Sequence, residues 1–393
     1  MFTGLGPVLT LRCGVWSLAS ASPVLPSLSS FNHHNLKLSL RDAHDMETYQ
    51  RFVCLLLAVF LCVEGDVADE SVNWDDLSDP SCPSAGELSP CVCFVLSKSA
   101  YLDCSAVESE EELAEVFSRN VAFPPFKKLT IENNTHLKVL RAGALGNVSF
   151  EEVFIHGGVL EEVENGSLSA SYSTALKLNF GSNYLTSFNF DDIQFFTRLQ
   201  EIVLDDNKLY ELPHISSNSL TSLSIGKNPL SSLSNTAFAD MPELRAVSIF
   251  DTGLNNLFEG TFVGLANLTW LDLSGNELTH LHIEAIQVRV FGASIHLDHN
   301  SISVVLPGGV TGLKGGFVYL YNNKISVLEE EVWRAVLEEG NTLDFKYNPL
   351  ACGCDIAWLV RNTTLLKFVD SMTTCENGDL LADLDPAYYA EVC

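Results

Sequence analysis

Basic residues are scarce in this sequence. Its 393 residues include 22 Lys and Arg against 50 Asp and Glu, so the formal net charge at pH 7 is −28. A negative field of this size repels nucleic acid and anionic lipid, and neither is expected as a partner. Basic proteins or divalent cations fit the charge better, and the plainer interpretation is that the charge only keeps the chain soluble.

The sequence also lacks an apolar run of the roughly 20 residues that a membrane-spanning helix needs, so no stable membrane insertion is expected. One run of twelve apolar residues, FVCLLLAVFLCV at 52–63, follows Arg51. Its length is typical of a secretory signal peptide, which we place at 46–65 because Met46 offers a start. Residues 1–45 are then an upstream extension, unstructured or artefactual. If they are translated, the alternative is an internal signal anchor.

Motifs that carry enzyme chemistry are missing as well. There is no G-x-S-x-G, H-E-x-x-H, P-loop, dinucleotide fingerprint or EF-hand loop. A catalytic triad can still assemble from residues that are distant in sequence, because geometry defines it. We nevertheless expect no catalytic residue, no cofactor and no metal ligand, and therefore a secreted, extracellular binding protein and not an enzyme.

A repeat dominates the remainder of the chain. The pattern L-x-x-L-x-L-x-x-N-x-L is complete at 268–278 (LTWLDLSGNEL) and recurs at 199–209 and 220–230. Ten copies follow one another at steps of 21–25 residues, which is the spacing of leucine-rich repeats. The residues at the Asn position are Asn134, Gly158, Asn183, Asn207, Asn228, Thr252, Asn276, Asn300, Asn323 and Asn348.

This pattern predicts an α/β leucine-rich-repeat solenoid with a curved parallel sheet on its concave face. The two leucines of L-x-L point inward because side chains alternate along a strand. The Asn side chain satisfies backbone groups of neighbouring coils. The 21-residue step after Asn207 lacks part of the convex segment. Ten residues past the Asn position, a second apolar spine is expected to pack the convex side: Leu168, Ile193, Phe238, Phe262, Ile286, Val310 and Trp333.

Cysteines flank the repeats and none lies between them. Outside residues 1–65, four cysteines precede the repeats (Cys82, Cys91, Cys93, Cys104) and four follow them (Cys352, Cys354, Cys375, Cys393). An even count in a secreted chain indicates disulfides, and the open ends of a solenoid need such caps. Zinc binding by the C-x-C pairs is the disfavoured alternative. We therefore expect an acidic lead-in at 66–81, an N-terminal cap at 82–128, ten repeats at 129–350 and a C-terminal cap at 351–393.

Local motifs refine the two caps. Ser109 and Glu112 fit a capping box that opens a short helix through Phe117. In the C-terminal cap we expect a helix from Asp355 whose Trp358 covers the final coil. Five sequons suit a secreted surface and predict glycosylation at Asn133, Asn147, Asn165, Asn267 and Asn362.

The concave face is the expected binding surface, because residues beside the inward leucines point out of the sheet. In the C-terminal half these positions become aromatic and acidic, and exposed aromatic residues are enriched at interface hot spots. We predict a protein-binding patch there, formed by Phe250, Asp251, Trp270, Asp272, His296, Asp298, Phe317, Tyr319, Tyr321 and Tyr347. Two alternatives remain: cross-strand aromatic packing that only stabilises the sheet, or a cation site formed by Asp272, His296, Asp298 and His299.

Residues 82–393 as a whole resemble extracellular leucine-rich-repeat proteins. The flanking caps of those proteins imply two disulfides at each end. The implied pairs are Cys82–Cys93, Cys91–Cys104, Cys352–Cys375 and Cys354–Cys393.

A narrower resemblance rests on the cap motifs. NPLACGCDIAWLV at 348–360, GDLLADLDP at 378–386, the leading C-x-C-x(10)-C and SEEELAEVF at 109–117 carry it. They resemble the family of the non-catalytic subunit of oplophorus-luciferin 2-monooxygenase and its arthropod relatives, in which a separate subunit carries the chemistry. The resemblance implies an accessory subunit that binds and stabilises a catalytic partner, and it transfers no catalytic residue. A free recognition or adhesion module is the other interpretation, and the one we favour from sequence.

Overall fold

The computed structural model describes residues 81–230 and 232–393. The predicted extension at 1–45, the signal peptide at 46–65 and all but the last residue of the lead-in lie outside the described residues.

A large sheet of twelve strands runs through the described chain. Its strand order is β1-β2-β3-β5-β7-β8-β9-β10-β11-β14-β17-β18, and all neighbours are parallel except the β1–β2 hairpin. The strands of this sheet are β1 (Val92–Leu96), β2 (Ser99–Asp103), β3 (Phe126–Glu132), β5 (Phe150–His156), β7 (Lys177–Asn179), β8 (Glu201–Val203), β9 (Ser222–Ser224), β10 (Ala246–Ser248), β11 (Trp270–Asp272), β14 (Ser294–His296), β17 (Phe317–Tyr319) and β18 (Thr342–Asp344).

Shorter strands and helices complete the coils. Three parallel pairs join β4 (Val139–Leu140) to β6 (Glu162–Val163), β12 (His280–Leu281) to β15 (Val304–Val305), and β13 (Ile286–Gln287) to β16 (Val310–Thr311). The α-helices are α1 (Ala85–Leu88), α2 (Glu110–Ser118), α3 (Glu330–Glu338), α4 (Ala357–Val360), α5 (Thr363–Leu366) and α6 (Pro386–Val392). The 3₁₀ turns are Ser169–Ser171, Phe190–Phe195, Cys354–Ile356 and Leu381–Asp383.

The burial of side chains follows the repeat. Each three-residue strand from β7 to β17 buries its central residue and leaves the two flanking residues half-buried or exposed. On the convex side, all seven members of the expected apolar spine are buried, and none is more than 6% exposed. The predicted leucine-rich-repeat solenoid is therefore confirmed, with one continuous core between the sheet and the convex segments.

The Asn position joins neighbouring coils through a buried amide. In Asn276, Oδ1 accepts hydrogen bonds from the N–H groups of Thr252 (3.0 Å) and Leu254 (3.1 Å) in the preceding coil. Its Nδ2 donates to the carbonyls of Ile249 (2.7 Å) and Leu273 (3.0 Å). Backbone groups that turn away from the sheet inside the solenoid are thereby satisfied.

Two coils depart from Asn and remain satisfied. Thr252 donates its hydroxyl to Asn276 Oδ1 at 2.8 Å, and the N–H of Gly158 donates to Asn183 Oδ1 at 3.1 Å. No larger residue fits at 158, because an added Cβ would lie 2.7 Å from the carbonyl oxygen of Asn134. In both coils without an asparagine, the amide oxygen of the next coil's asparagine accepts a hydrogen bond from the substituted residue.

Disulfides close both ends of the sheet. The structure joins Cys82 to Cys93 and Cys91 to Cys104 beside β1, and it forms Cys352–Cys375 and Cys354–Cys393 after β18. This pairing is the one that the resemblance to extracellular leucine-rich-repeat caps implies.

The cap helices differ in detail from the sequence prediction. Ser109 Oγ accepts from the N–H of Glu112 (3.0 Å), but the Glu112 carboxylate accepts from Glu108 N–H, so only half of the predicted capping box forms. At the other end, Asp355 lies in a 3₁₀ turn and α4 begins two residues later. Trp358 is half-buried and packs against the edge of the core, and its indole N–H donates to the carbonyl of the buried Leu328 at 2.8 Å.

We expect Asn276→Ala to lower the free energy of unfolding by about 1–3 kcal/mol, since it leaves buried N–H and carbonyl groups of two coils unpaired. Urea unfolding followed by far-UV circular dichroism measures the change. The matched control is Glu277→Ala, which removes an exposed side chain from the next position. Equal stability of the two variants would contradict the role assigned to the amide.

Candidate binding surface on the concave face

Side chains that point out of the large sheet form three rows across its C-terminal strands. In the first row the register places Trp270 beside Ser294, then Phe317, then Thr342. In the second row it places Asp272 beside His296, then Tyr319, then Asp344. The third row, just past the strand ends, holds Ser274, Asp298, Tyr321 and Lys346. We call these three rows on β11, β14, β17 and β18 the C-terminal concave surface.

Aromatic rings on this surface contact one another. The Trp270 and His296 ring centroids are 4.3 Å apart, and those of His296 and Tyr319 are 4.5 Å apart with an interplanar angle of 19°. Phe317 lies nearly parallel to Tyr319, at 13° and 6.2 Å. The cross-strand packing offered as an alternative therefore exists for the imidazole and the phenol. Trp270 and Phe317 still expose 43% and 44% of their surface, which leaves them available to a partner.

Asp298 differs from its predicted place on the surface. It is only 5% exposed, because His299 and Tyr321 lie over it and His296 flanks it. Its Oδ2 is 3.0 Å from His299 Nδ1, and its Oδ1 is 3.7 Å from His296 Nδ1. This carboxylate supports the rings from below and cannot contact a partner directly.

Two ionisable groups in this cluster have shifted pKa values. Burial opposes ionisation of Asp298, but its polar contacts with His296, His299 and Tyr321 outweigh burial and lower its pKa to about 2. Burial, followed by the hydrogen bond to Asp298, raises the pKa of the Tyr321 phenol to about 12. The cluster therefore holds one fixed negative charge beneath a neutral phenol at neutral pH.

The remaining residues of the predicted binding patch lie at different positions on the concave face or beside it. Tyr347 is 76% exposed at the far end of the surface. Asp272 Oδ1 accepts hydrogen bonds from Ser274 N–H (3.0 Å) and Oγ (2.6 Å). Phe250 is half-buried, and its ring lies so close to Gly226 that a Cβ there would be 2.2 Å from Cε1. Asp251 is exposed in the turn that follows β10.

The N-terminal half of the concave face carries paired charges that the sequence analysis missed. Register places Lys128, Glu152, Lys177 and Glu201 side by side on β3, β5, β7 and β8, with Lys177 Nζ 2.6 Å from Glu201. Phe154 lies under Lys128 Nζ at 3.6 Å. At this repeat position the sign of the charge alternates from one coil to the next, and this alternation in the sequence could have predicted the row of charges. Lys177 and Glu201 form an ion pair and the four charges of this row sum to zero, so the row offers little net charge to a partner.

The cation site offered as an alternative has no assembled ligand set. Within 81–230 and 232–393, no group of three or more His, Cys, Asp or Glu residues is arranged to hold a metal ion. The imidazoles of His296 and His299 both face the carboxylate of Asp298 instead.

The sequons lie at accessible positions. Four of the five asparagines are exposed, and Asn362 is half-buried because its Oδ1 accepts from Leu365 N–H at the start of α5 (3.2 Å). Asn267 Nδ2 donates to the carbonyl of Pro242 at 3.1 Å. Glycosylation at these sites stays a prediction.

We expect Asp298→Asn to lower the free energy of unfolding at pH 7 by about 2 kcal/mol. The carboxylate has a pKa of about 2 in the folded chain against about 4 in an unfolded one, so it stabilises the fold fully above about pH 4. That contribution is lost as the pH falls through 2. Urea titrations of both proteins between pH 7 and pH 2 should show the difference closing, and a difference independent of pH would contradict the assignment.

Comparisons with known proteins agree with this geometry. The leucine rich repeat family profile matches residues 218–278 and 242–288. The chain is 32% identical over 318 residues to the non-catalytic subunit of Oplophorus-luciferin 2-monooxygenase from Oplophorus gracilirostris, across 80% of this chain and 88% of that protein. It is also 29% identical over 184 residues to podocan from Mus musculus, across 44% of this chain and 29% of podocan.

Solved structures share the fold. A chain in the octameric complex of latrophilin 3, Unc5D and FLRT2 superposes with a TM-score of 0.59 at 17% identity, covering 77% of this chain and 98% of that one. A chain of the Drosophila Toll–Spatzle complex superposes with a TM-score of 0.51 at 17% identity, covering 73% and 48%. At these identities the likeness establishes architecture alone.

Every helix in the part of the chain that the structure describes is too short or too polar to cross a bilayer. Fold, cap disulfides and sequence identity agree over most of the chain's length. The chain therefore belongs to the leucine-rich-repeat family of the Oplophorus-luciferin 2-monooxygenase non-catalytic subunit.

Proposed function

We propose that this chain is a secreted binding protein that captures a protein partner on its C-terminal concave surface. The contrast between the two halves of the concave face carries the proposal. Lys177 and Glu201 form an ion pair in the N-terminal half, whereas Trp270, Phe317 and Tyr347 present 43%, 44% and 76% of their surface to solvent. Solvent-facing aromatic rings held by a rigid sheet are the side chains that contribute most at protein interfaces.

Secretion is part of the proposal. Eight cysteines form four disulfides in the two caps, and disulfides of this kind persist in oxidising compartments. The apolar run at 52–63 is the expected signal for export.

Two roles share this binding chemistry. A free recognition or adhesion module would bind its ligand without a constant companion. An accessory subunit would hold one catalytic partner in fixed proportion, and the 32% identity to a non-catalytic subunit favours that role. Purification from the native secretion separates them: one protein that elutes with this chain in constant stoichiometry supports the subunit, and none supports the free module.

We expect Trp270→Ala to abolish partner capture while the melting temperature stays within a few degrees, because the indole is outward-facing and 43% exposed. Tagged wild-type chain and variant are incubated with the native secretion, and retained proteins are identified by mass spectrometry. The matched control is Phe154→Ala, which removes an aromatic ring from the N-terminal half of the same face.

A partner retained equally by all three proteins would contradict the proposed surface. Loss of capture together with a large fall in melting temperature would assign Trp270 to sheet packing instead.

A further inference from the structure

The two outer edges of the large sheet differ in their backbone pairing. On β18 the N–H of Leu343 donates to the carbonyl of Phe368 (2.8 Å), and the N–H of Asp370 donates to the carbonyl of Leu343 (2.9 Å), so the C-terminal cap pairs with this edge. β1 forms the opposite edge, where β2 is its neighbour in the sheet. Among the residues that the structure describes, no backbone group outside this hairpin bonds to β1. Such an edge can pair with a further strand.

The hairpin turn determines which backbone groups of β1 are unpaired. Ser97 and Lys98 have φ angles of 49° and 63°, and positive φ at both central residues is typical of a two-residue type I′ turn. Leu96 and Ser99, on either side of this turn, form a hydrogen-bonded pair. Because bonded positions alternate along an antiparallel strand, Phe94 also bonds to β2. The residues that alternate with these direct their N–H and C=O groups to the free side of β1, and they are Cys93 and Val95.

The side chains of β1 are apolar and largely exposed. Val92, Phe94 and Leu96 expose 61%, 48% and 60% of their surface. The register through Tyr101 and Lys128 places this row on the concave face. No side chain of β1 carries a charge, although the chain as a whole carries −28. Two copies of this acidic chain can therefore meet along β1 without opposing charges on the strand, and their contact removes apolar surface from water.

The strand is complementary to a second copy of itself. If two β1 strands pair antiparallel with Phe94 opposite Phe94, Cys93 of each copy lies opposite Val95 of the other. Cys93 and Val95 carry the outward-facing groups, so each of these pairs exchanges both of its N–H···O=C bonds. Val92 then lies opposite Leu96 of the other copy, on the face that holds Phe94. One two-fold register thus matches both the unpaired backbone groups and the exposed side chains.

A disulfide and a ring contact hold β1 in place before it pairs. Cys93, in the middle of the strand, is bonded to Cys82. The Phe94 ring stacks on Tyr101 across the hairpin, with centroids 5.3 Å apart and an interplanar angle of 6°. Because successive side chains alternate between faces, the disulfide lies on the face opposite to Phe94. Pairing therefore requires little further ordering of the strand.

We propose that the chain forms a two-fold dimer in which β1 pairs antiparallel with β1 of a second copy, centred on Phe94. This pairing joins the large sheets of the two copies into one continuous sheet. The strands of the C-terminal concave surface lie at the other end of each sheet, so that surface stays outside the contact in both copies. The dimer does not depend on the proposed function, but it presents the proposed binding surface twice to a multivalent partner.

Sedimentation equilibrium of the full chain, purified from a secreting host and studied at micromolar concentration, measures the association. We expect the mass of two chains for the wild type. Phe94→Asp places two carboxylates opposite each other at the two-fold axis and should weaken the dimer at least about tenfold. The matched control is Phe258→Asp, because Phe258 is also 48% exposed but lies outside β1, and this variant should remain a dimer.

A second variant separates loss of pairing from loss of fold. Val95→Pro removes an N–H that faces the free side of β1, so it should weaken the dimer while the bonds between β1 and β2 remain. Thermal melting followed by far-UV circular dichroism should give all these variants a melting temperature within a few degrees of the wild type.

Cysteine cross-linking tests the register. Residues opposite each other in a non-hydrogen-bonded pair have Cα atoms about 4.5 Å apart, which is within the range of a disulfide. Phe94→Cys should therefore give a covalent dimer under oxidising conditions. Val92→Cys should not, since the two copies of residue 92 lie about 13 Å apart along the strands. Peptide mapping verifies that the native disulfides of the N-terminal cap are retained.

A wild-type mass of one chain would overturn the inference and would leave the edge to a strand of a different protein. Equal association of the wild type and a folded Phe94→Asp variant would also overturn it, because the dimer contact would then lie elsewhere. Cross-linking through Val92→Cys and not through Phe94→Cys would contradict the proposed register.

Discussion

The whole solenoid depends on one interaction, the buried side-chain amide that bridges consecutive coils. Each coil turns away from the sheet inside the protein, where its backbone polar groups have no water to bind. Asn207 donates to the carbonyls of Phe180 and Leu204, one in each of two coils, and Asn323 repeats this arrangement with Leu297 and Leu320. Because every such bridge reaches only the adjacent coil, stability passes from neighbour to neighbour. Both ends must then be sealed, and the cysteines are placed there.

The fixed frame frees the outward positions for other uses. Inward leucines and the bridging asparagine define the register, so a side chain beside them can change without moving the strand. The chain uses this freedom in two ways. Lys177 and Glu201 pair within the N-terminal half, whereas Trp270 and Phe317 remain exposed in the C-terminal half. The same sheet therefore has one region with paired charges and another region with exposed aromatic side chains.

Features with a strict period were predictable from the sequence. The inward leucines, the convex spine and the Asn position recur at fixed steps, and each buries the side chain that the period assigns. Asp298 was not predictable in this way. The other side chains at this position are half-buried and two coils have glycine there, yet Asp298 is 5% exposed because the side chains of its own turn and of the next coil cover it. Burial here depends on the sizes of neighbours in space, which a pattern of hydrophobic positions does not contain.

The contacts between the aromatic rings could not be predicted from the sequence for the same reason as the burial of Asp298. Strand spacing alone places Trp270, His296 and Tyr319 near one another, and it cannot decide whether the rings stack or stand apart. The structure stacks His296 on Tyr319 and leaves Trp270 and Phe317 with free surface. The half-formed capping box at Ser109 shows a similar limit, because the Glu112 carboxylate bonds the N–H of Glu108 instead.

Binding on the proposed surface combines long-range attraction by net charge with short-range side-chain contacts, and the two have different effects. A net charge of −28 attracts any basic partner over a distance of about one Debye length, roughly 8 Å at physiological salt, and does not distinguish one basic partner from another. Discrimination needs short-range contacts, and the exposed rings of Trp270 and Phe317 are the side chains that can supply them. Because folding has already fixed the rotamers of these side chains, binding loses little further conformational entropy, and the surface can hold a partner tightly.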